Sequence, residues 1–158
     1  MSWARRLVGI ARGSQAPREG EIQARLGQMY TALAGLSAQV LAHAQMAPTA
    51  ALEEELSKLG EEIGAQAEGI GMLLAQRQLT PPAAGETGAV VPTSHWARLV
   101  QDLEQLREVR RLLLDAYARS NEVEPALAAE LEDCGRRVEG HLHRLRSLIA
   151  RADPQALN

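Results

Sequence analysis

The stretch EIQARLGQMYTALAGLSAQVLAH, residues 21–43, decides the fold class of this chain. Its large apolar residues recur at alternating steps of four and three: Ile22, Leu26, Met29, Leu33, Leu36 and Val40. This spacing places them along one side of an α-helix. The stretch therefore predicts a helix with a single seam that faces a core.

Three further stretches repeat the pattern and predict three more helices. The second helix follows Thr49 and ends before Pro81-Pro82, the third begins after Ser94 as its N-cap, and the fourth has Pro125 in its first turn. Their seams are Leu52, Leu56, Leu59, Ile63, Gln66, Ile70 and Leu73; Trp96, Leu99, Leu103, Leu106, Arg110, Leu113 and Tyr117; and Leu127, Leu131, Cys134, Val138, His141, Leu145 and Leu148. Four such helices, of about 25 residues each, predict an all-α four-helix bundle.

The composition agrees with helices and excludes several classes of protein. Hydrophobic residues make up 46% of the 158 residues, but only 3% are aromatic and none is Phe, so the bulky residues that β-sheets favour are scarce. The single Cys excludes a disulfide scaffold, and a net charge of -3 gives no reason to expect binding to nucleic acid. No window is long and apolar enough for a transmembrane segment, and no secretory signal is recognisable, so a cytoplasmic protein is expected.

The predicted organisation is one bundle domain with two short flanks. A basic N-terminal arm covers residues 1–17, the bundle covers residues 18–153, and a tail covers residues 154–158. Residues 80–94, TPPAAGETGAVVPTS, form a long linker between the second and third helices. Fully extended, about 15 residues reach about 50 Å, whereas a helix of about 25 residues is about 38 Å long. We expect this linker to cross the length of the bundle, so that the second and third helices are parallel; the alternative is a loop that bulges outwards.

Two segments resemble the ferritin-like superfamily, in particular bacterioferritins and rubrerythrins. Residues 137–145, RVEGHLHRL, resemble their last-helix motif, in which a Glu-x-x-His pair is followed by apolar residues. Residues 29–46 resemble their first helix, in which a ligand Glu precedes a His near the helix end. The resemblance implies a ferritin-like bundle with a long crossover between the second and third helices.

The same resemblance implies that the di-iron site of this family has been lost. The family places a Glu on helices one and three and a Glu-x-x-His pair on helices two and four. At three of the matching Glu positions this chain has an apolar residue, Leu33, Leu106 or Val138, and only Glu62 and His141 survive. Two ligands cannot hold two iron ions, so neither a metal nor another cofactor is expected. If an altered metal site exists, its candidate ligands are Glu62, Glu104, Glu139 and His141.

Several polar residues near the seams have competing interpretations. One hypothesis pairs Arg110 with a remnant carboxylate, Glu62 or Glu61; the preferred interpretation is the alternative, in which Val109 faces inwards and Arg110 extends to the surface. His141 is expected to be a buried, hydrogen-bonded histidine, with a surviving metal ligand as the alternative. His43, near a helix end, is expected to interact with the helix dipole.

The basic arm, residues 1–17, carries Arg5, Arg6 and Arg12 among apolar residues. Packing of the arm on its own bundle, or disorder, is preferred to a helix that docks on a membrane surface or on a partner.

The sequence therefore predicts a non-enzymatic, ferritin-like bundle that acts through protein contacts, as a homodimer or with another protein. The alternative is a metal-binding member of the same family that uses iron or another divalent ion, as an iron-storage protein or as a di-iron oxidoreductase or ferroxidase. A helical adaptor unrelated to ferritins is a third interpretation.

Overall fold

A computed structural model gives the structure of the chain and describes residues 19–83 and 90–152. The N-terminal arm, the centre of the linker and the C-terminal tail lie outside the described residues. The described part is a four-helix, all-α protein, as predicted. Its helices are α1 (Glu19–Gln45), α2 (Ala50–Gln76), α3 (His95–Ser120) and α4 (Pro125–Ala152).

The predicted helix starts are confirmed by their capping groups. The Thr49 hydroxyl accepts a hydrogen bond from the backbone N–H of Leu52 at 3.2 Å, and the Ser94 hydroxyl accepts one from Ala97 at 3.1 Å. Each bond satisfies one of the N–H groups that the first turn of a helix leaves without a partner. Pro125, which needs no such partner, is the first residue of α4.

The apolar seams of the four helices form one core, and most predicted seam residues are buried in it. Trp96 is a correction: 39% of its surface is exposed, because it lies in the first turn of α3 at an end of the bundle. At the centre of α3 the buried position belongs to Val109, which is 1% exposed, whereas the side chain of Arg110 is 27% exposed. Here the alternative with Val109 facing inwards is the correct one.

Helix α1 packs against both α2 and α3, and α3 also packs against α4. The contact between α1 and α2 is close because α2 has glycines there. A Cβ atom at Gly60 would lie 2.8 Å from the Leu41 side chain, and one at Gly64 would lie 2.8 Å from the Ser37 hydroxyl. The Ser37 hydroxyl also donates a 2.7 Å hydrogen bond to the Gly60 carbonyl. These glycines therefore serve packing inside the bundle.

Ion pairs between helices give the relative directions of the chain. Arg119 near the end of α3 pairs with Glu21 at the start of α1, and Arg151 at the end of α4 pairs with Glu55 at the start of α2, with a nitrogen–oxygen distance of 2.9 Å. Neighbours α1 and α3 are therefore antiparallel, and so are α2 and α4. Within residues 19–83 and 90–152, no helix has both the length and the apolar character needed to cross a bilayer.

Candidate functional site

A buried polar cluster lies between α2 and α4 and contains His141, Gln66 and Cys134. The Gln66 side-chain amide donates to the Cys134 carbonyl at 3.2 Å and approaches the Cys134 sulfur at 3.5 Å. The Gln66 Oε1 atom lies 2.7 Å from Nε2 of His141. Because Oε1 can only accept, Nε2 of His141 carries the proton, and Nδ1 is then the unprotonated nitrogen of a neutral ring. Gln66 and His141, the two polar residues on the inward seams of α2 and α4, therefore serve as hydrogen-bond partners for each other.

Burial shifts the pKa values of His141 and Cys134 so that both side chains are uncharged at neutral pH. Desolvation, helped by the charge of Arg144, lowers the pKa of His141 to about 4, although the nearby carboxylate of Glu62 opposes this shift. Desolvation also raises the pKa of the Cys134 thiol to about 11. At neutral pH the histidine is uncharged and the thiol keeps its proton, whereas a nucleophilic cysteine needs the thiolate. The prediction that His141 is buried and hydrogen-bonded is confirmed, and Cys134 packs as a small apolar residue.

Glu62 lies at the edge of this cluster and is held by Arg144. Its carboxylate accepts a hydrogen bond from the Arg144 guanidinium, and its Oε2 atom lies 3.9 Å from Nδ1 of His141. Burial acts to raise the pKa of Glu62, but the hydrogen bond and charge of Arg144, with a smaller contribution from Lys58, leave this pKa below its usual value. The two candidate metal ligands Glu62 and His141 are thus adjacent, but the carboxylate of Glu62 is already bound by Arg144.

The predicted pair of Arg110 with Glu62 does not form, and this is a correction. Arg110 lies on the side of α3 that faces α4, where its Nε atom is 2.9 Å from Oε1 of Glu139. Glu62 lies on α2 and faces a different part of α4, so that Arg144 is its partner. The spacing within each helix could not say which helices are neighbours.

The four candidate metal ligands are not brought together. Glu62 and His141 are neighbours, Glu139 is engaged with Arg110, and Glu104 is exposed on α3. Among the described residues no group of three or more His, Cys, Asp or Glu side chains has a geometry that could hold a metal ion. The positions to which the ferritin resemblance assigns further carboxylates hold apolar, fully buried residues: Leu33, Leu106 and Val138.

A second buried polar cluster, around Asp102, was missed by the sequence analysis. The Asp102 carboxylate is completely buried on α3, lies 2.9 Å from Nδ1 of His43, and accepts a 2.7 Å hydrogen bond from the Gln39 amide. His43 is 2% exposed and lies in the last turn of α1, where this carboxylate is its side-chain partner; its interaction with the helix dipole stays a prediction. The signal was present in the spacing, because Asp102 lies three residues after Leu99 and four before Leu106 and so occupies a seam position.

Arg98, one turn before Asp102 on α3, ties together the chain segments at this end of the bundle. Its guanidinium donates to the carbonyls of Pro92 at 3.2 Å, Thr93 at 3.0 Å and Met46 at 3.0 Å. Desolvation, with the nearby charge of Arg98, lowers the pKa of His95. The guanidinium thereby links the end of α1, the end of the linker and the start of α3.

An exposed apolar patch surrounds the same end of the bundle. We call it the end patch; it consists of Met46, Val90, Val91 and Trp96. Arg98 holds Met46 close to residues 92 and 93, and Gln101 donates a 3.3 Å hydrogen bond to the Val90 carbonyl. Exposed apolar side chains at one end of a bundle are a candidate contact site for another molecule.

Comparison with models of known protein families finds no match to this chain, and comparison with curated proteins finds none either.

Proposed function

We propose that this chain is a ferritin-like four-helix bundle without a di-metal centre, and that it acts through protein–protein contacts as a homodimer rather than as an enzyme. The observation that carries the proposal is the apolar interior. Leu33, Leu106 and Val138 fill the positions where the family's carboxylates would stand, and His141 is occupied by Gln66. A buried carboxylate in such a layer, without a metal or cation, would cost several kcal/mol.

The directions of the helices support the ferritin-like arrangement. Helix α1 pairs with α2 through Ser37 and Gly60 and with α3 through His43 and Asp102, near the end of α1 in each case. Both α2 and α3 therefore begin at this end of the bundle. This is the direction that a lengthwise crossover of residues 80–94 requires, whereas a bundle with only short turns would have α2 and α3 antiparallel.

The altered metal site is disfavoured by the positions of its candidate ligands. Glu139 and Glu62 each have an arginine partner, and Glu104 lies away from both on exposed surface. A di-iron centre depends on about four carboxylates converging on one place. Nothing in the polar clusters offers that convergence among the described residues.

The proposed contact of the homodimer is the end patch. A second copy presents the same apolar surface, so that two end patches bury one another about a two-fold axis, the commonest symmetry of homo-oligomers. Burial of Val91 and Trp96 would remove apolar area from water at about 25 cal/mol per Å². A charged residue in the centre of such a contact would be left without a partner.

Sedimentation of the purified chain at micromolar concentration tests this contact. We expect a dimer for the unchanged chain and a monomer for Val91→Glu and Trp96→Glu. The matched control is Val123→Glu, because Val123 is an exposed valine in the turn between α3 and α4 at the opposite end. A monomeric unchanged chain would contradict the homodimer, and so would a Val91→Glu chain as dimeric as the control.

A further inference from the structure

An open groove runs between the C-terminal half of α2 and the N-terminal half of α4. Its first part, beside the start of α1, is lined by Glu19, Leu73, Gln76, Glu124 and Glu130 among others. Its second part continues past Leu73, Gln76 and Glu130 to Met72, Asp133 and Cys134. Because the two parts share three lining residues, they form one continuous channel, which we call the α2–α4 groove.

The α2–α4 groove combines exposed apolar surface with unpaired negative charge. Met72 exposes 65% of its surface, and Leu73 beside it is only partly buried. In the part of the chain that the structure describes, Glu19 and Glu130 have no cationic partner. The other two carboxylates of the groove are paired with arginines that also line it, Glu124 with Arg77 and Asp133 with Arg137 at 3.2 Å. The groove therefore suits a segment with apolar side chains and arginines.

The N-terminal arm has this chemistry. Residues 1–18 contain four arginines and no acidic residue, so the net charge of -3 leaves -7 on residues 19–158. Trp3, Leu7 and Ile10 follow the i, i+4, i+7 spacing that places side chains on one face of a helix. The remaining positions of this stretch include Arg5 and Arg6. The sequence of the arm thus offers one apolar face and a cationic remainder.

The arm also starts in the right place and is long enough. Arg18 directly precedes Glu19, which lines the mouth of the α2–α4 groove. From Gln76 back to Gly69 the groove follows α2 for about 10 Å at 1.5 Å per residue. A stretch of about 16 residues spans about 24 Å as a helix and about 50 Å when extended. The apolar residues of the arm can therefore reach Met72 in either conformation.

We propose that residues 1–17 bind in cis along the α2–α4 groove, with Trp3, Leu7 and Ile10 against Met72 and Leu73 and the arginines beside Glu19 and Glu130. The proposal does not rest on the proposed function, because the mouth of the groove lies at the opposite end of the helices from the end patch. The arginines of the arm would pair with groove glutamates, as arginines pair with glutamates between the helices of the bundle.

Fluorescence of Trp3 tests this docking in the full chain. Trp3 and Trp96 are the two tryptophans, so Trp96→Phe leaves Trp3 as the reporter, and Trp96 lies far from the groove. We expect acrylamide to quench Trp3 less than in a peptide of residues 1–18. The protection should fall between 0.1 M and 1 M salt, because the Debye length shrinks from about 10 Å to about 3 Å.

Charge reversal in the groove should release the arm. In the Trp96→Phe chain, Glu130→Lys is expected to lower the ratio of docked to free arm about fivefold, since it turns an attraction between exposed charges into a repulsion. Glu104→Lys, an exposed glutamate on α3 outside the groove, is the matched control and should leave the protection unchanged. Met72→Glu tests the apolar half of the contact, and its matched control is Met46→Glu, at an exposed methionine at the opposite end of the bundle. Circular dichroism checks that each variant keeps its helices.

Four results would overturn the proposal. The first is a Trp3 as accessible as in the peptide, and the second is equal protection in the Glu130→Lys and Glu104→Lys chains. The third is protection that disappears on dilution together with conversion of a dimer to a monomer, which would make a second copy the occupant. The fourth is protection that appears only when vesicles of anionic lipid are added.

Discussion

Asp102 is the residue with the most demanding environment in the described part of the bundle. Its carboxylate is completely buried, and its partners are His43 and Gln39 on α1. A buried carboxylate without partners is costly, so these three side chains must meet in the folded state. The cluster specifies how α1 and α3 are aligned along their length, which apolar residues with repeating spacing do not specify.

Removal of one partner of this buried pair should be strongly destabilising. We expect His43→Ala to lower the free energy of unfolding by about 3–5 kcal/mol, because Asp102 is then left buried without its main partner. Denaturant unfolding monitored by circular dichroism measures the change. Glu108→Ala, which removes an exposed ion pair with Arg111 on α3, is the control and should change stability by less than about 1 kcal/mol. Equal effects of the two variants would show that the buried pair has no special role.

His141 should make the stability of the bundle depend on pH. Its pKa is lowered to about 4 in the folded chain, against an ordinary value of 6.5, so the unfolded chain binds the proton first as the pH falls. Its contribution to stability is therefore complete above pH 6.5 and is lost between about pH 6.5 and pH 4, by on the order of 2–3 kcal/mol.

The measurement compares unfolding free energies at pH 7.5 and pH 4.5 in the unchanged chain and in His141→Gln. We expect His141→Gln to lose less stability on acidification, because Gln takes up no proton. His143→Gln, at an exposed position on the same helix, is the control and should behave as the unchanged chain. If acidification lowers stability equally in all three chains, the buried ring is not the group that titrates.

At the scale of the element, α2 shows how the packing of one helix can require residues that weaken it. Glycine lowers helix stability by about 1 kcal/mol relative to alanine. Gly60 and Gly64 nevertheless have to be glycines, because Leu41 and Ser37 of α1 occupy the space that a Cβ atom would need. On α4, Gly140 has nothing within 4 Å of the position where a Cβ atom would lie. A helical glycine is therefore required by close packing at Gly60 and Gly64 but not at Gly140.

This difference predicts opposite effects of the same substitution. Gly60→Ala should lower the free energy of unfolding by about 1–3 kcal/mol, because the added methyl group forces Leu41 and the α1 backbone to move. Gly140→Ala should raise it by up to about 1 kcal/mol through the better helix propensity of alanine. Thermal unfolding of the two variants beside the unchanged chain measures both. A stabilised Gly60→Ala chain would mean that α1 and α2 are farther apart than the Cβ distances indicate.

At the scale of the whole molecule, the described part of the bundle has no place where three or more potential metal ligands converge. The chain purified from cells supplied with iron and manganese is expected to hold far less than one metal ion per chain, because two ligands remain and Arg144 occupies one of them. Elemental analysis after desalting measures the content. Stoichiometric metal that is lost in His141→Ala but kept in His143→Ala would contradict the prediction.

The sequence by itself determined the four helices, their caps and the membership of most of the core. These features depend on local spacing and on capping residues such as Thr49 and Ser94, which act within a few positions along the chain. The position of Gln66 on the inward seam was visible for the same reason. The all-α architecture therefore required no knowledge of which helices touch.

Only the tertiary structure decided which polar side chains meet. The pairs of Asp102 with His43 and of Arg110 with Glu139 join residues far apart in the chain, and the spacing within one helix does not say which helix lies beside it. A rotation of α3 by a fraction of a turn exchanges Val109 for Arg110 at the core, and packing against its neighbours settles that rotation. Periodicity fixes a face of a helix, whereas the partner of that face follows from how four faces fit together in three dimensions.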